Sequence, residues 1–295
     1  MISPAKINLG LKILFRRPDG YHELQSIFLP INWGDEISFQ ESENFELQSN
    51  IDSDYILNSD YYQVSEKGDL SKNILYKTFI ASQERKKNLK PVKITLHKKI
   101  PTGGGLGGGS SNAAMLLKYL FPEEVQVSNN DFLKFASKIG ADVPFFLLNT
   151  PAAVEGIGER LTPIEVANAN GILAIPAFSI STREAFLSLK KPLQEPPISY
   201  EWNYLTMSIQ SLLKRGEWSS LHNYLKNDFE SYAFKTYPEL ETLKHTMYEL
   251  GLEFVSMTGT GSCFYGLISK KERIPLILES LRNHFRNYQF VSFNT

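Results

Sequence analysis

Cysteine is almost missing from this chain: Cys263 is the only one in 295 residues. An intrachain disulfide is excluded, and a thiolate metal cluster has no ligands to draw on. The five histidines show no H-x-x-x-H or similar spacing, so a histidine metal site has no support either. No apolar run approaches the ~18 residues that a membrane helix needs. The opening Met1-Ile2-Ser3-Pro4-Ala5-Lys6 does not read as a secretory signal. Positive charge is not in excess: 31 Lys and Arg against 32 Asp and Glu leave a net charge of −1. A nucleic-acid-attracting field is therefore absent. What remains is a soluble, cytoplasmic protein with no nucleic acid or membrane as partner. At 42% hydrophobic and 21% charged residues, the chain has apolar material for two cores. Its length suggests two domains, placed here at 1–158 and 159–295. No internal repeat or low-complexity segment interrupts it.

Glycine, by contrast, is concentrated in one place. Pro101, Thr102, Gly103, Gly104, Gly105, Leu106, Gly107, Gly108, Gly109, Ser110 and Ser111 follow in sequence, holding six of the chain's 19 glycines. Val92, Ile94, Leu96 and Ile100 before the run have the spacing of a half-buried strand. Ala113, Leu116, Leu117 and Leu120 after it have helical spacing, with Ser110 or Ser111 as a natural N-cap and Pro122 as a stop. Strand, glycine run and helix start together make a seat for a phosphate: bare N–H groups converge, and the helix end adds about half a positive charge. A flexible surface loop fits poorly, because a capped amphipathic helix follows at once. The P-loop pattern fails, since Gly109 stands where it requires lysine. The dinucleotide pattern matches at Gly103, Gly105 and Gly108, but Glu123 and Glu124 follow the helix directly. No acid ends a second strand about 20 residues on, as that motif requires.

Elsewhere the chain alternates strand and helix signals. Ala5, Ile7, Leu9, Leu11, Ile13 and Phe15 alternate strictly, so 5–15 read as a strand with that face buried. Lys6 and Asn8 then share the opposite face, with Gly10 leaving room beside them. Pattern alone leaves that face open between a solvated surface and a functional one. Pro18-Asp19-Gly20 makes a turn into a second strand through Ile31, so Tyr21 and His22 sit just beyond a hairpin tip. Residues 41–72 are polar and aperiodic. A helix starts at Asn73. Arg85, Lys86, Lys87 and Lys90 read as a solvated helix end. Asp131–Ile139 is a second helix closed by Gly140. Asp142 precedes Val143-Pro144-Phe145-Phe146; pattern favours a helix cap over a carboxylate placed for proton transfer. Strands follow at 152–161 and 172–175, then a proline-punctuated stretch at 176–197 and helices at 203–215, 218–227 and 238–250. A strand pair encloses Thr258-Gly259-Thr260-Gly261, whose small residues suggest approach to a ligand. A last helix and strand complete a small α+β sandwich.

Five of these stretches, in this order, resemble the GHMP small-molecule kinases: Pro4-Ala5-Lys6-Ile7-Asn8-Leu9, Asp19-Gly20-Tyr21-His22, the glycine run, Gly140-Ala141-Asp142-Val143-Pro144 and Thr258-Gly259-Thr260-Gly261. The first, second and fourth are similar to the branch that acts on a cytidine-diphosphate-linked polyol. The polar stretch 41–72 departs from the family by its length. The resemblance implies an α+β, two-domain GHMP-kinase fold. Its N-terminal domain would be ribosomal-protein-S5-domain-2-like and its C-terminal domain a ferredoxin-like α/β sandwich, with the active site between them. It implies ATP on Pro101–Ser111 with Asn73 near the adenine, and Mg²⁺ with Ser110 or Ser111 as a contact but no acidic ligand identifiable. Asp142 would be the general base and Lys6 its electrostatic partner. Asn8, Tyr21, His22, Thr182 and Phe186 would bind the substrate. Either a monomer or a homodimer is compatible. The alternatives are a kinase of the mevalonate or homoserine type, or a non-catalytic nucleotide- or RNA-binding module.

Overall fold

The computed structural model describes residues 1–51, 70–125, 129–194 and 206–295. Parts of the polar stretch 41–72, of the proline-punctuated stretch 176–197 and of the helix predicted from 203 lie outside the described residues. In chain order the elements are β1 (Ile2–Arg16), β2 (His22–Glu41), β3 (Glu46–Ile51), α1 (Ile74–Arg85), β4 (Val92–Lys98), α2 (Gly108–Leu120), α3 (Asn130–Ile139) and α4 (Val143–Leu148). There follow β5 (Ala152–Gly156), β6 (Arg160–Pro163), β7 (Asn170–Pro176), α5 (Thr182–Ser188), α6 (Met207–Arg215), α7 (Trp218–Leu221), α8 (Glu230–Thr236) and α9 (Pro238–Glu249). The chain ends with β8 (Phe254–Met257), β9 (Phe264–Ile268), α10 (Ile274–His284) and β10 (Tyr288–Asn294). The result is an α+β protein of two compact units. One comprises Met1–Ala5, Trp33–Thr102 and Gly107–Asn149; the other comprises Lys6–Asn32, Gly103–Leu106 and Thr150–Thr295.

In the first unit, Glu36–Glu41 of β2 pair antiparallel with β4, and β3 runs parallel along the other side of β4. Val92, Ile94 and Leu96 are buried, as their alternation predicts. Helix α1 packs on α2, and α4 packs on both α2 and α3. The predicted apolar stripe of α2, Ala113, Leu116, Leu117 and Leu120, is buried. Each such leucine contributes roughly 1.5–3 kcal/mol by leaving water. Of the expected solvated helix end, Lys86, Lys87 and Lys90 are exposed but Arg85 is not. It pairs with Glu124 at 2.6 Å and Asp131 at 2.8 Å, and its guanidinium lies over the Phe132 and Phe135 rings. The end of α1 is thereby fastened to α3.

In the second unit, Leu24–Phe28 of β2 pair antiparallel with β5, which pairs in turn with β6. The turn into β2 passes through Gly20 at φ 90°, a conformation that glycine alone adopts without strain. A second, fully antiparallel sheet has the order β10-β7-β9-β8. Ile172 and Ala174 of β7 meet Phe229, Leu240, Leu243, Met247, Phe264 and Leu281 in its core. Two predictions fail here. The helix expected over 218–227 is one turn, Trp218–Leu221. The chain then bends to bridge β1, with Leu11 N donating to Lys226 O and Asp228 N to Leu11 O. Helix α8 was not predicted, because Phe229, Tyr232, Phe234 and Tyr237 around it blur the helical period.

Candidate active site

In the first unit the glycine run opens helix α2 in an unusual way. Its N-cap is Gly107, in a left-handed conformation at φ 73°, and no side chain caps the first turn. The expectation that Ser110 or Ser111 is the N-cap is therefore wrong: both lie inside the first turn. The left-handed bend suits glycine because a Cβ there would crowd the carbonyl. Ser111 is buried and its hydroxyl accepts from Ser3 Oγ at 2.8 Å. Ser110 is half-buried. An uncapped helix start presents N–H groups and the positive end of the dipole, which is the donor set a phosphate requires. The seat thus fits the phosphates of a nucleotide.

The floor of the seat is one buried carboxylate. Asp35 Oδ1 accepts from the backbone N–H groups of Lys99 and Ile100, both at 2.7 Å. Its Oδ2 accepts from Lys98 Nζ at 2.7 Å and from Asn112 Nδ2 at 2.9 Å. Residues on both sides of the glycine run, Ile100 and Asn112, are therefore tied to the same side chain. Burial pulls the Lys98 ammonium below its ordinary pKa, with Asp35 opposing the shift. A Cβ on Gly108 would lie 2.8 Å from Ile100 Cγ2 and 2.9 Å from Lys98 Nζ. That closeness explains glycine at the first helical position.

Two further chain segments meet the start of α2. A Cβ at Gly140 would lie 3.4 Å from Ser110 Oγ and 4.0 Å from Ile74 Cδ1, and one at Gly109 would lie 3.6 Å from Ile74 Cγ2. Asn73 is thus brought close to the seat, but its carboxamide oxygen caps α1 by accepting from Leu75 N at 2.9 Å. Its NH₂ is the part that can address a ligand. Two residues beyond Gly140, Asp142 stands at the N-cap position of α4 without making a side-chain cap. The capping role that the pattern favours is not the one the structure gives it. The carboxylate is half-buried, on a helix whose residues Val143 to Leu147 are all buried.

The second unit holds the crest of the glycine run. Leu106 O accepts from Lys6 N at 3.1 Å, and Gly105 O accepts from Thr258 Oγ1 at 3.1 Å. Gly259 packs on Gly105 backbone to backbone: a Cβ on Gly259 would be 2.9 Å from Gly105 Cα. The Thr258–Gly261 turn buttresses the crest of the glycine run. Lys6 is 4% exposed and Asn8 1%, so this face of β1 is not solvated. Lys6 Nζ donates to Asn8 Oδ1 at 2.6 Å and sits 4.4 Å from the centre of the Phe28 ring. The same Asn8 oxygen accepts from Gly259 N at 2.8 Å and Thr258 Oγ1 at 3.1 Å, while Asn8 Nδ2 donates to Ser26 Oγ at 3.0 Å. Asn8 therefore orients Lys6 and the turn. What remains for a substrate is the second N–H of its amide.

A separate cavity of 620 Å³ in this unit is lined by Tyr21, His22, Ile157, Phe186 and their neighbours. The His22 and Phe186 rings face each other with centroids 4.7 Å apart and planes inclined by 33°, and Phe229 supports Phe186 edge-on. Tyr21 is 59% exposed. Thr182 begins α5 and its hydroxyl bonds that of Thr260 at 3.1 Å. Burial, reinforced by the charges of Arg16 and Lys191, lowers the His22 pKa and keeps the imidazole neutral. Beneath the hairpin, Glu23 is completely buried. It accepts from Arg160 Nη2 at 2.6 Å, Arg17 Nη1 at 3.0 Å and Gly156 N at 3.2 Å. The sequence reading passed over Glu23 and Asp35. Their signal was available: each is an acid on the strand face that carries Ile27, Leu29, Ile31 and Ile37.

The family models for the GHMP kinases N terminal domain and for GHMP kinases C terminal match residues 73–150 and 209–287. The chain is 48% identical over 296 residues to a 4-diphosphocytidyl-2-C-methyl-D-erythritol kinase of Leptospira interrogans, covering all of both chains. It is 34% identical over 275 residues to the kinase of the same name from Bacteroides fragilis, covering 92% of each. Among solved structures, a 4-(cytidine 5′-diphospho)-2C-methyl-D-erythritol kinase matches with a TM-score of 0.74 at 30% identity, covering 100% of this chain and 98% of that one. A homoserine kinase from Cytophaga hutchinsonii matches with a TM-score of 0.65 at 16% identity, covering 99% and 94% respectively, and speaks for the fold alone. No helix among the described residues is long and apolar enough to cross a membrane.

Proposed function

The chain belongs to the 4-diphosphocytidyl-2-C-methyl-D-erythritol kinases, a branch of the GHMP kinases, and from that premise we propose that it transfers the γ-phosphoryl group of ATP to the 2-hydroxyl of 4-diphosphocytidyl-2-C-methyl-D-erythritol. That step belongs to the non-mevalonate route to isopentenyl diphosphate. The observation that carries the catalytic assignment is Asp142: a half-buried carboxylate that makes no capping bond, on a rigid helix start next to Gly140 and hence to Ser110 of the phosphate seat.

In this reading the first turn of α2 and the glycine run bind the ATP phosphates, and Asn73 lies on the adenine side. Asp142 accepts the proton of the substrate hydroxyl. The Lys6 ammonium, held by Asn8 and Phe28, stabilises negative charge on the group in flight. Phosphoryl transfer has a loose, charge-spread transition state, so placement and electrostatics supply most of the catalysis. Mg²⁺ would neutralise phosphate charge when bound. Among the described residues no group of three or more His, Cys, Asp or Glu could hold a metal. That donor set is compatible with an ion carried on substrate phosphates, which takes few protein ligands. Ser110 or Ser111 is its candidate contact, the Ser111 hydroxyl also accepting from Ser3 Oγ.

Tyr21, His22, Thr182 and Phe186 are assigned to the cytidine, with aromatic faces on the base and His22 at its edge. His22→Ala should raise KM for the cytidine substrate about tenfold or more, the loss of roughly one good contact. KM for ATP should stay unchanged, and equal losses in both would refute the assignment. Because the folded-state pKa of His22 is lowered, the neutral ring persists below the usual histidine range. KM for the cytidine substrate should therefore be flat above about pH 6.5 and rise only at more acid pH. For stability the sign is the same: between the folded and unfolded pKa values the unfolded chain holds more protons, so the His22 contribution increases with pH. An ATP-coupled assay with the cytidine alcohol, mevalonate and homoserine tests the whole assignment. Turnover with the first alone is expected. Turnover with another alcohol would select another GHMP activity, and no turnover with any would favour a binding module.

A further inference from the structure

We propose that Asp35 and Asn112 are positioning residues for the nucleotide: through the hydrogen bond they share, they set how the first-turn amides of α2 meet the phosphates. The inference rests on the reading of the glycine run as a phosphate seat, and adds which side chains fix that seat. A loop built of glycines has almost no side chains to hold it, so its placement must come from its two feet. Ile100 is one foot and the first turn of α2 is the other. Asp35 reaches both. Its Oδ1 accepts from Lys99 N and Ile100 N at 2.7 Å, and its Oδ2 accepts from Asn112 Nδ2 at 2.9 Å. Asp35 is 0% exposed and Asn112 3%, so water does not compete for these bonds.

Asn112 stands one turn along α2 from Gly108, on the same helix face. Its side chain therefore fixes the rotation of the helix about its own axis. Any rotation would swing the uncapped N–H groups away from a common point. The neighbouring residues make the same connection a second time. A Cβ on Gly34 would fall 2.0 Å from Ser3 O, and Ser3 Oγ donates to Ser111 Oγ at 2.8 Å. Gly34 and Asp35 of β2 are thus linked to Ser111 and Asn112 of α2 by two adjacent ties. Asn112 also carries a cost. Its Oδ1 is buried with no hydrogen-bond partner among the described residues, and an orphaned buried acceptor lowers stability. Turning the amide over would press that oxygen against the Asp35 carboxylate, so Asp35 dictates the orientation. The amide serves its donor at the expense of its acceptor. Lys98 Nζ, 2.7 Å from Asp35 Oδ2, offsets a carboxylate charge that would otherwise repel an anion at the helix start.

The test is a calorimetric titration of the full chain with ADP and with adenosine, which share base and sugar and differ in the diphosphate. The wild type should bind ADP at least ~10-fold more tightly. Asn112→Ala cuts the tie to α2, but it also removes the orphaned oxygen, and alanine is the best helix former. Its thermal midpoint should stay near the wild-type value. Its ADP preference should fall at least ~5-fold, with adenosine affinity retained. KM for ATP should rise while KM for the cytidine alcohol is unchanged. Partial loss of fold would lower the binding stoichiometry for both ligands and leave the preference intact, so a purely structural role does not mimic this result. Asp35→Asn leaves the Lys98 ammonium buried without its counter-charge and should lose more of the preference, together with stability. An unchanged ADP preference in Asn112→Ala, or equal losses for ADP and adenosine, overturns the proposal. A wild type that does not prefer ADP overturns it together with the phosphate seat. If the preference behaves as expected but the cytidine alcohol is not phosphorylated, the positioning role stands and the proposed function falls.

Discussion

Asp142→Asn should lower kcat by roughly 10²–10⁴-fold, the usual contribution of a positioned general base. That loss corresponds to about 3–5 kcal/mol of transition-state stabilisation. Asparagine keeps the size and shape of aspartate but cannot accept the hydroxyl proton. The start of α4 should be undisturbed, for a structural reason. Because Asp142 makes no capping bond to α4, the helix start does not depend on the carboxylate. Val143 N instead donates to Gly140 O at 3.0 Å, a backbone bond the substitution leaves in place. The thermal midpoint should therefore show no loss of a helix cap while turnover collapses. The two readouts separate the proposed role from the capping role that the sequence pattern favours. A capping aspartate would lose about 1 kcal/mol of stability on replacement and little activity. Turnover within tenfold of wild type would remove Asp142 from the mechanism.

The contrast between those roles indicates how much a single sequence can disclose. Local periodicity was reliable where one face of an element met one core. The strand at Val92–Leu96, the α2 stripe and the closing helix and strand were all legible from spacing. The strand before the glycine run and the helix after it were legible too, from the spacing on either side. What was not legible is what the chain does over long separations. The pattern leaves the face of Lys6 and Asn8 open between solvated and functional; that Thr258 and Gly259, some 250 residues away, bond Asn8 is beyond its reach. The same is true of Asn227, whose amide donates to the carbonyls of Met257 and Gly259, both at 2.8 Å. That junction ends the helix which the local pattern would have continued. The serine N-cap failed for a different reason. Ser110 and Ser111 have the better capping chemistry, but a left-handed glycine at 107 starts the helix earlier and leaves its amides uncovered. Local propensity lost to the left-handed glycine.

Gly105→Ala should be strongly damaging to both stability and turnover. Gly105 has φ 78°, where any Cβ crowds the following carbonyl at a cost of about 1–2 kcal/mol. Space is the larger problem. An ideal Cβ would sit 2.0 Å from Thr258 O and 2.8 Å from Thr258 C, and both are backbone atoms that cannot rotate away. Relief requires the crest of the glycine run and the Thr258–Gly261 turn to part. Parting them breaks the Thr258 Oγ1 to Gly105 O bond and disturbs the Asn8 oxygen that also orients Lys6. Strain and overpacking together should cost roughly 3 kcal/mol or more. Calorimetric unfolding should show a clearly lowered midpoint, and ATP turnover should fall because the loop crest and Lys6 are displaced together. Gly109→Ala is the control. Its Cβ would meet only Ile74 Cγ2 at 3.6 Å, an ordinary contact. That variant should unfold at nearly the wild-type temperature, and whatever it loses should appear in ATP binding alone. Equal stability of the two variants would mean that the close approach of Gly105 to Thr258 does not hold the loop, and the buttressing role of the turn would have to be abandoned.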